Sequence, residues 1–526
     1  MKNKITKYFA AVVALTMVVT SCTKDLDREP YYGLNAANVY ETPANYYKVL
    51  AKCYAGFALT GNQGPAGSPD ITGFDEGSSG FLRTMWNLQE LTTDEAVCGW
   101  TDPGVPDLHN MSWSSENVWT KFMYYRMYYE IPLCNEFIRE SSDSKLETKS
   151  FSAEEKKNIR LYREEARFLR ALAYYYALDL FGNVPFVTED DLTGATLPKR
   201  ITRADLFNYV EKELLAIEAT LSEPRTIAYG RADKSAARSL LARLYLNAEV
   251  YTGTKKYTET VNYCNKVINS GYQLDSVYRH LFQVENDKSP EMIFPIVFDG
   301  RYTQTYGGTT YLTHAAVGGL MNKKKFGING GWAGLRTTSA FVNQFADTID
   351  GRYLFFKDGQ SLEINAIGTF TDGYAIAKWR NVTYDKDSTS GSDGTGNFVD
   401  IDWPMFRLAD IYLMYAEATL RGGAGNAATA LGYVNALRER AYGNSNNNLS
   451  NIDLNIILNE RAKEMHWEGT RRSDLIRYGL FTTSTYLWPW KGGVKDGIAV
   501  GDFRNLFPIP ASDLSANSNL IQNPGY

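Results

Sequence analysis

Apolar residues recur at three- and four-residue spacing through much of the chain, which is the pattern of helices that bury one face. In residues 154–180, for example, Ala166, Leu169 and Ala173 follow this spacing. Gly182 then supplies a residue suited to the left-handed conformation that ends many helices. The same pattern predicts further helices at residues 203–221, 234–251, 257–270, 405–420, 426–442 and 453–467.

The predicted helices form pairs joined by short turns, and their small-residue faces resemble tetratricopeptide repeats, although the spacing between pairs is irregular. We therefore expect a mostly α fold, a tetratricopeptide-like scaffold of helical pairs with large loop-rich insertions and a few short strands. Loops on a rigid scaffold are where binding residues commonly lie. Loop-rich segments occur at residues 61–80, 300–334, 388–396 and 443–450.

The N-terminus predicts export and a lipid anchor. Three lysines precede a short apolar run, residues 9–20, which is below the roughly 20 residues of a membrane span and matches a secretory signal peptide. Small residues then precede Cys22, as in the lipobox of bacterial lipoproteins, whose Cys is acylated; the alternative is an ordinary signal peptide beside an unrelated Cys. We predict a signal peptide over 1–21, a lipid-anchored tether over 22–30 and a single domain over 31–526.

Charge and composition narrow the function. The formal charge of −5 becomes −8 without the three lysines of the signal peptide, which argues against a nucleic-acid partner or an anionic-lipid surface. No other stretch reaches about 18 uninterrupted apolar residues, so no transmembrane helix is predicted. Aromatic residues make up 13% of the chain, which suits either a sugar-binding surface or an aromatic-rich core.

Four cysteines besides Cys22 are widely spaced and form no metal-ligand pattern. A chain of this length buries a core without disulfides, so we expect these cysteines to be buried small hydrophobic residues, with one disulfide as the alternative. They are Cys53, Cys98, Cys134 and Cys264.

No motif of a known catalytic class is present. The four histidines follow no triad order, and no nucleophile elbow, zinc-protease, phosphate-loop or dinucleotide pattern occurs. The adjacent carboxylates Asp75-Glu76 and Asp94-Glu95 are formal candidates for a glycosidase pair, but such neighbours are typical of solvated turns or caps. We therefore predict that the protein is not an enzyme, with a glycoside hydrolase as one rival.

Long motifs identify a family. Residues 163–187, which read REEARFLRALAYYYALDLFGNVPFV, resemble a signature segment of the SusD/RagB family of outer-membrane nutrient-binding lipoproteins. Residues 230–253, 406–416, 464–481 and 507–510 also match the family, in its order, so the resemblance covers nearly the whole mature chain. The similarity extends to the starch-binding members of the family at residues 67–70, 75–77, 80–81, 306–312 and 486–493.

This resemblance implies a lipoprotein of the outer membrane that faces the cell exterior. It implies binding of an α-glucan, of the starch or malto-oligosaccharide type, and delivery to a SusC-like TonB-dependent porin. The alternatives are the same role for dextran or another glycan, and a protein-only adaptor of the uptake complex whose aromatic residues belong to the core.

The resemblance also implies an arc of aromatic rings at Trp100, Tyr306 and Trp332. An aromatic face stacks on the C–H face of a glucose ring and excludes water, and a stiff ring loses little rotamer entropy on binding. Asp75 and Arg83 would supply hydrogen bonds to the sugar hydroxyls; a loop-bracing ion pair between them is the alternative.

Two departures from the starch-binding members lie beside this arc. Cys98 and Pro103 stand near the positions where those members carry a second Trp and an Asn. Because a ring and a hydrogen-bonding amide are missing, we expect a shallower arc, or one suited to another α-glucan such as dextran.

A metal site is a further expectation. Asp400 and Asp402 lie two residues apart, on the same side of an extended segment, and oxygen ligands suit Ca²⁺. The resemblance adds Asp287 as a third carboxylate. We predict a structural Ca²⁺ site at Asp287, Asp400 and Asp402, with a solvated turn before the helix at Pro404 as the alternative.

Overall fold

The structure is a computed structural model that describes residues 36–65, 67–73, 75–191, 194, 196–385 and 391–526. The predicted signal peptide 1–21, the lipidation site Cys22, the tether 22–30 and part of the predicted loop 388–396 lie outside the described residues. Within the described ranges, no helix is both long and apolar enough to cross a membrane.

Helices dominate the fold. In chain order they are α1 (Ala36–Val39), α2 (Pro43–Ala58), α3 (Glu76–Ser79), α4 (Phe81–Glu90), α5 (Val105–His109), α6 (Val118–Glu140), α7 (Asp143–Glu147), α8 (Ala153–Leu180), α9 (Arg203–Glu218), α10 (Lys234–Leu246), α11 (Ala248–Thr252), α12 (Tyr257–Ile268), α13 (Thr309–Ala315), α14 (Ser339–Val342), α15 (Leu408–Leu420), α16 (Ala427–Tyr442), α17 (Leu454–Met465), α18 (Arg471–Arg477) and α19 (Ala511–Ala516).

The strands are short and form two-stranded antiparallel sheets. They are β1 (Val97–Cys98), β2 (Val184–Phe186), β3 (Lys199–Ile201), β4 (Met292–Ile296), β5 (Leu335–Arg336), β6 (Phe355–Phe356), β7 (Ala375–Ile376) and β8 (Trp403–Arg407). In the described part of the chain the pairs are β1 with β5, β2 with β3, β4 with β8, and β6 with β7.

The long helices pack in series along the chain. Helix α6 packs on α8, α8 on α9, α9 on α10, α10 on α12, α12 on α15, and α15 on both α16 and α17. Helix α2 covers α6 and α8 from one side. This succession confirms the mostly α, tetratricopeptide-like scaffold, because each amphipathic helix buries its apolar face against the next one.

Most predicted helices are present, with two corrections. The predicted helix 405–420 is wrong at its start, because residues 405–407 belong to β8 and are held extended by pairing with β4. The predicted helix 234–251 is interrupted at Asn247, where α10 ends and α11 begins. Helix α8 matches its prediction to within one residue because Ser152 and Glu155 form a capping box at its N-terminus.

Three well-formed helices, α2, α4 and α6, were not predicted. Helix α6 buries 13 of its 23 residues and contains Pro132, so its apolar positions surround the helix and leave no clear one-sided pattern. Nine of the ten residues of α4 are buried, but its apolar residues do recur at helical spacing, so this short helix was detectable from the sequence.

The four cysteines within the described ranges are free and buried, which confirms their assignment as core residues rather than a disulfide. The prediction of a solvated turn at Asp94-Glu95 is wrong. Asp94 accepts hydrogen bonds from Arg471 at 2.7 and 2.8 Å, and Glu95 accepts one from the Trp467 amide at 2.9 Å. Both carboxylates are buried and join the N-terminal part of the chain to the C-terminal helices.

Candidate functional site

Strand pairing brings Trp100 and Trp332 together. In the β1–β5 ladder Cys98 lies opposite Leu335, and the amide of Gly99 extends the pairing by donating to the Gly334 carbonyl at 2.8 Å. The indole Nε1 of Trp100 donates to the Trp332 carbonyl at 3.2 Å. Two residues that are 232 positions apart in sequence therefore meet at the end of one short ladder.

Gly334 makes this approach possible. A Cβ atom at position 334 would lie 2.4 Å from Cε2 of Trp100, which is well inside contact distance. The Trp100 ring therefore packs directly on the backbone at Gly334, the residue before β5. Its centroid lies 6.4 Å from the centroid of the Trp332 ring.

The third predicted ring continues the row. The Tyr306 ring lies 6.2 Å from Trp332, with the two planes tilted by 55°, whereas Trp100 and Trp332 are tilted by 43°. All three side chains are half-buried. The structure thus brings Trp100, Trp332 and Tyr306 together, in that order, as a row of three non-coplanar rings that we call the aromatic arc.

Tyr306 is held by the buried carboxylate of Glu76. Glu76 accepts hydrogen bonds from the Thr60 hydroxyl at 2.8 Å, the Thr305 hydroxyl at 2.6 Å and the Tyr306 amide at 3.2 Å. Burial raises the pKa of Glu76, although these three donors lower it. Glu76, the residue next to Asp75, thus holds Tyr306 in place, a role that the sequence did not indicate.

Arg83 packs among three aromatic rings beside the arc. Its guanidinium group is 4.4 Å from the Tyr311 ring centroid, 5.1 Å from that of Trp119 and 5.7 Å from that of Trp100. Its Nη1 donates to the Gly77 carbonyl at 2.9 Å. Cation–π contacts of this kind contribute about 0.5–2 kcal/mol each, so Arg83 helps to hold the Trp100 ring in place.

Asp75 is exposed and accepts a hydrogen bond from Ser78 at 3.4 Å. Among the ion pairs of the described residues none joins Asp75 to Arg83, so the alternative of a loop-bracing pair between them is wrong. A Cβ at Gly77 would lie 2.8 Å from Cβ of Tyr306 and 3.4 Å from Oδ2 of Asp75, so the Asp75 carboxylate lies near the Tyr306 end of the arc.

Sequence reasoning missed two neighbours of the arc. The His314 ring stacks on Trp332 at 4.8 Å, and the Phe398 ring lies 5.1 Å from Tyr306. His314 lies three residues after Tyr311 on the short helix α13, and this helical spacing could have been recognised in the sequence. Phe398 comes from a distant loop, and no local pattern connects it with Tyr306.

The arc has the properties of a sugar-binding surface. Its rings are stiff and half-buried, and their faces are suited to the C–H faces of pyranose rings. The tilts of 43° and 55° show that neighbouring rings of the arc are not coplanar. This geometry can bind a chain of sugars by stacking while nearby polar groups contact hydroxyls.

The predicted Ca²⁺ ligands form a different region. Asp402 is buried, and its carboxylate accepts hydrogen bonds from the Phe298 amide at 2.8 Å and the Tyr229 hydroxyl at 2.7 Å. Burial raises the pKa of Asp402 to about 7; the two donors lower it, and the charges of Asp287 and Asp400 raise it further.

Asp400 is also occupied by protein donors, and Asp287 is exposed. Asp400 accepts hydrogen bonds from the Gly300 amide at 2.6 Å and the Ser392 hydroxyl at 2.8 Å. Across the described ranges, no three His, Cys, Asp or Glu side chains are grouped closely enough to hold a metal ion. The structure therefore does not group the three carboxylates as a metal site, and the Ca²⁺ site stays a prediction.

Calorimetry tests that prediction directly. If the site forms, titration with Ca²⁺ will release or absorb heat and raise the unfolding temperature, because a cation would relieve the repulsion around Asp402. Asp402→Asn should remove both effects. Titration with neither heat nor stabilisation would remove the site.

Comparison with known proteins gives matches over the whole chain. The SusD family model matches residues 251–526, and a model described as starch-binding associating with outer membrane matches residues 26–246. The chain is 36% identical to the starch-binding protein SusD of Bacteroides thetaiotaomicron over 581 residues, with 100% of both chains covered. It is 27% identical to a SusD-like protein of Bacteroides ovatus, with 64% of this chain and 62% of that protein covered.

Solved structures share the fold. Surface glycan-binding protein A from Bacteroides fluxus is similar with a TM-score of 0.72 at 19% identity, over 92% of this chain and 100% of that one. Surface glycan-binding protein A from Bacteroides thetaiotaomicron in complex with laminarihexaose gives a TM-score of 0.70 at 18% identity, over 91% and 99%.

Proposed function

The chain belongs to the SusD family, and from that premise we propose that it binds an α-glucan of the starch type and delivers it to a partner TonB-dependent outer-membrane transporter of the SusC type. It performs this role without covalent chemistry. Acylation at Cys22 anchors it to the outer membrane with its body facing the cell exterior. This proposal is supported by the full-length identity to a protein named as starch-binding.

The observation that carries the proposal is the row of three non-coplanar rings in the aromatic arc. Adjacent ring centroids are 6.4 and 6.2 Å apart, and the ring planes are inclined to each other by 43° and by 55°. A flat, ribbon-like glycan is best matched by coplanar rings, whereas an α-linked glucan curves and presents successive sugar faces at changing angles. Three stacked sugars would bury apolar C–H surface against the three rings.

Polar groups divide into two roles under this proposal. Asp75 is exposed near the Tyr306 end of the arc and accepts hydrogen bonds from sugar hydroxyls. Arg83 acts indirectly, because three rings surround its guanidinium group and the Gly77 carbonyl binds its Nη1. We therefore expect Asp75→Ala to weaken binding directly and Arg83→Ala to weaken it through a loosened Trp100.

The test is affinity electrophoresis and calorimetry of the protein without residues 1–21, with starch, pullulan, dextran and a malto-oligosaccharide. Trp332→Ala should weaken binding at least roughly tenfold, because the central ring contacts the ligand and supports both of its neighbours. Trp100→Ala should have a similar effect. Tyr302→Ala is the matched control, since Tyr302 lies four residues before Tyr306 and is 81% exposed.

Three outcomes separate the alternatives. Lack of retardation by every α-glucan would end the α-glucan proposal, and wild-type affinity of both Trp variants would end the assignment of the arc. Retardation by dextran alone would favour the dextran alternative. Transporter binding without any glycan binding would favour the protein-only adaptor, and release of reducing ends would establish a hydrolase.

A further inference from the structure

The central ring of the aromatic arc rests on a buried histidine. The imidazole of His314 stacks on the indole of Trp332, with ring centroids 4.8 Å apart and planes 26° apart. The Trp332 amide also donates a hydrogen bond to the His314 carbonyl at 2.8 Å. Trp332 is therefore fixed by His314 through both its side chain and its backbone.

His314 also holds the loop that carries Trp332. Its Nδ1 lies 2.6 Å from the Gly330 carbonyl, and because a carbonyl only accepts, Nδ1 must carry the proton. Further along the loop, the Ala333 amide donates to the Val317 carbonyl at 2.9 Å and the Gly334 amide donates to the Ala315 carbonyl at 2.8 Å. The loop is thus docked on the C-terminal end of α13.

The environment of His314 favours the neutral ring. The side chain is 1% exposed, and burial lowers its pKa, although the carbonyls of Gly330 and Asn397 raise it. A neutral imidazole provides a flat, weakly polar platform with one N–H group. Since Trp332 covers this platform, His314 can affect a ligand on the arc only by acting through Trp332.

We propose that His314 is a positioning residue of the glycan site: its ring sets the angle of Trp332 between Trp100 and Tyr306, and its Nδ1–H holds the loop at Gly330. This inference rests on the proposed function and identifies a residue that acts through the arc. An indole fixed before binding loses less conformational freedom when the sugar stacks on it, so preorganisation raises affinity.

Two substitutions separate the two contacts of His314. His314→Asn keeps an N–H donor near the Nδ1 position and removes the ring, whereas His314→Phe keeps a flat ring and removes the donor. We expect His314→Asn to weaken malto-oligosaccharide binding about three- to tenfold, and His314→Phe to weaken it less. His280→Asn is the matched control, because His280 also stacks on an aromatic ring, Tyr384, at 3.9 Å.

A double-mutant cycle shows whether His314 acts through Trp332. In the Trp332→Ala background, His314→Asn should cause no further loss of affinity, because the ring that it positions is absent. Additive losses would overturn the proposal. Thermal unfolding of each variant checks that the fold is retained, and His314→Phe carries the same test if His314→Asn does not fold.

A spectroscopic readout keeps the proposal testable apart from glycan binding. The contribution of Trp332 to near-ultraviolet circular dichroism and to acrylamide quenching is obtained as the difference between each protein and its Trp332→Phe counterpart. We expect His314→Asn to change this contribution and His280→Asn to leave it unchanged. If wild type binds no glycan but the contribution changes, the proposed function fails and the positioning role stands; unchanged affinity and unchanged spectra overturn the positioning role.

Discussion

At the scale of single residues, Glu130 shows how one buried carboxyl group constrains two helices. It lies on α6 and is fully buried against Gly56 of α2, where an added Cβ would be 1.5 Å from its Oε1. Burial raises the pKa of Glu130 to about 8, although Arg126 and Lys52 lower it. The close approach of α2 and α6 therefore depends on a glycine and on a carboxyl group that is protonated at neutral pH.

We predict that Glu130 makes the stability of the wild type depend on pH. The pKa of Glu130 is raised from 4.5 to about 8 in the folded state, so the folded protein binds more protons than the unfolded chain between these pH values. The stability that Glu130 contributes is therefore fully present below pH 4.5 and is lost as the pH rises through 8. Between pH 5 and pH 8.5 the wild type should lose up to about 4 kcal/mol of unfolding free energy through Glu130, and Glu130→Gln should not show this loss. Urea unfolding at pH 5 and pH 8.5 measures it, with the exposed Glu136→Gln on the same helix as the control. Equal pH slopes in wild type and Glu130→Gln would contradict the prediction.

The arc illustrates the limit of prediction at this scale. Trp100, Tyr306 and Trp332 were identified because the motifs around them resemble those of a family, and the structure brings the three rings together. The roles of Glu76 and His314 were not predicted. Both residues are buried behind the rings, and nothing in their local sequence records which loop folds over them.

At the scale of elements, helix boundaries follow from capping residues. Asp233 stands at the N-cap of α10, and its Oδ1 accepts hydrogen bonds from the amides of Ser235 and Ala236 at 2.7 and 3.2 Å. Its Oδ2 also accepts from the Arg225 amide at 2.7 Å. The first turn of α10 and the preceding loop are thus fixed by one carboxylate. Asp453 caps α17 with a single bond, from Ile456 at 2.8 Å.

We predict that Asp233→Ala lowers the free energy of unfolding by about 2–3 kcal/mol, because it leaves three amides without their acceptor. Asp453→Ala should cost only about 1 kcal/mol, since it removes one bond from an exposed cap. Urea unfolding followed by circular dichroism compares the two variants. An equal cost for both would show that the bond to Arg225 contributes nothing.

At the scale of the whole molecule, a buried group of charges joins the strand pair β4–β8 to the C-terminal helices. Arg407 donates to Glu468 at 2.7 Å, to Glu291 at 2.8 Å and to Glu464 at 2.7 Å, and all four side chains are buried. Burial alone would raise the pKa of Glu464, but Arg440 and the neighbouring arginines hold it below its ordinary value. The Glu464 carboxylate is therefore ionised, and the cost of burying its charge is offset by the arginines around it.

We predict that Arg407→Met destabilises the protein by about 3–5 kcal/mol, because three buried carboxylates lose a partner. Arg160→Met is the control: Arg160 pairs with Asp143 on the surface, where such pairs contribute about 0–1 kcal/mol. Thermal and urea unfolding of both variants measure the difference. Similar losses for the two variants would show that the buried group contributes no more than a surface pair.

The sequence by itself determined the helices that keep one polar face, because periodicity records which side of a helix is buried. It also determined the end of α8, because Gly182 follows that helix and adopts the left-handed conformation that glycine favours. Family membership followed from motifs that are continuous in the chain. Helix periodicity and helix ends involve residues a few positions apart, and the family motifs are continuous segments, so the local sequence contains all three.

Only the tertiary structure decided which distant residues meet. The β1–β5 ladder sets Trp100 against Trp332, and Gly334 allows the contact. The same folding buried Asp94 against Arg471, although adjacent carboxylates in sequence suggested solvent, because the cost of burying a charge is offset by a partner 377 positions away. The aromatic arc is therefore a product of long-range packing. The sequence shows the chemistry of each ring, and only the tertiary structure shows that the three rings lie together.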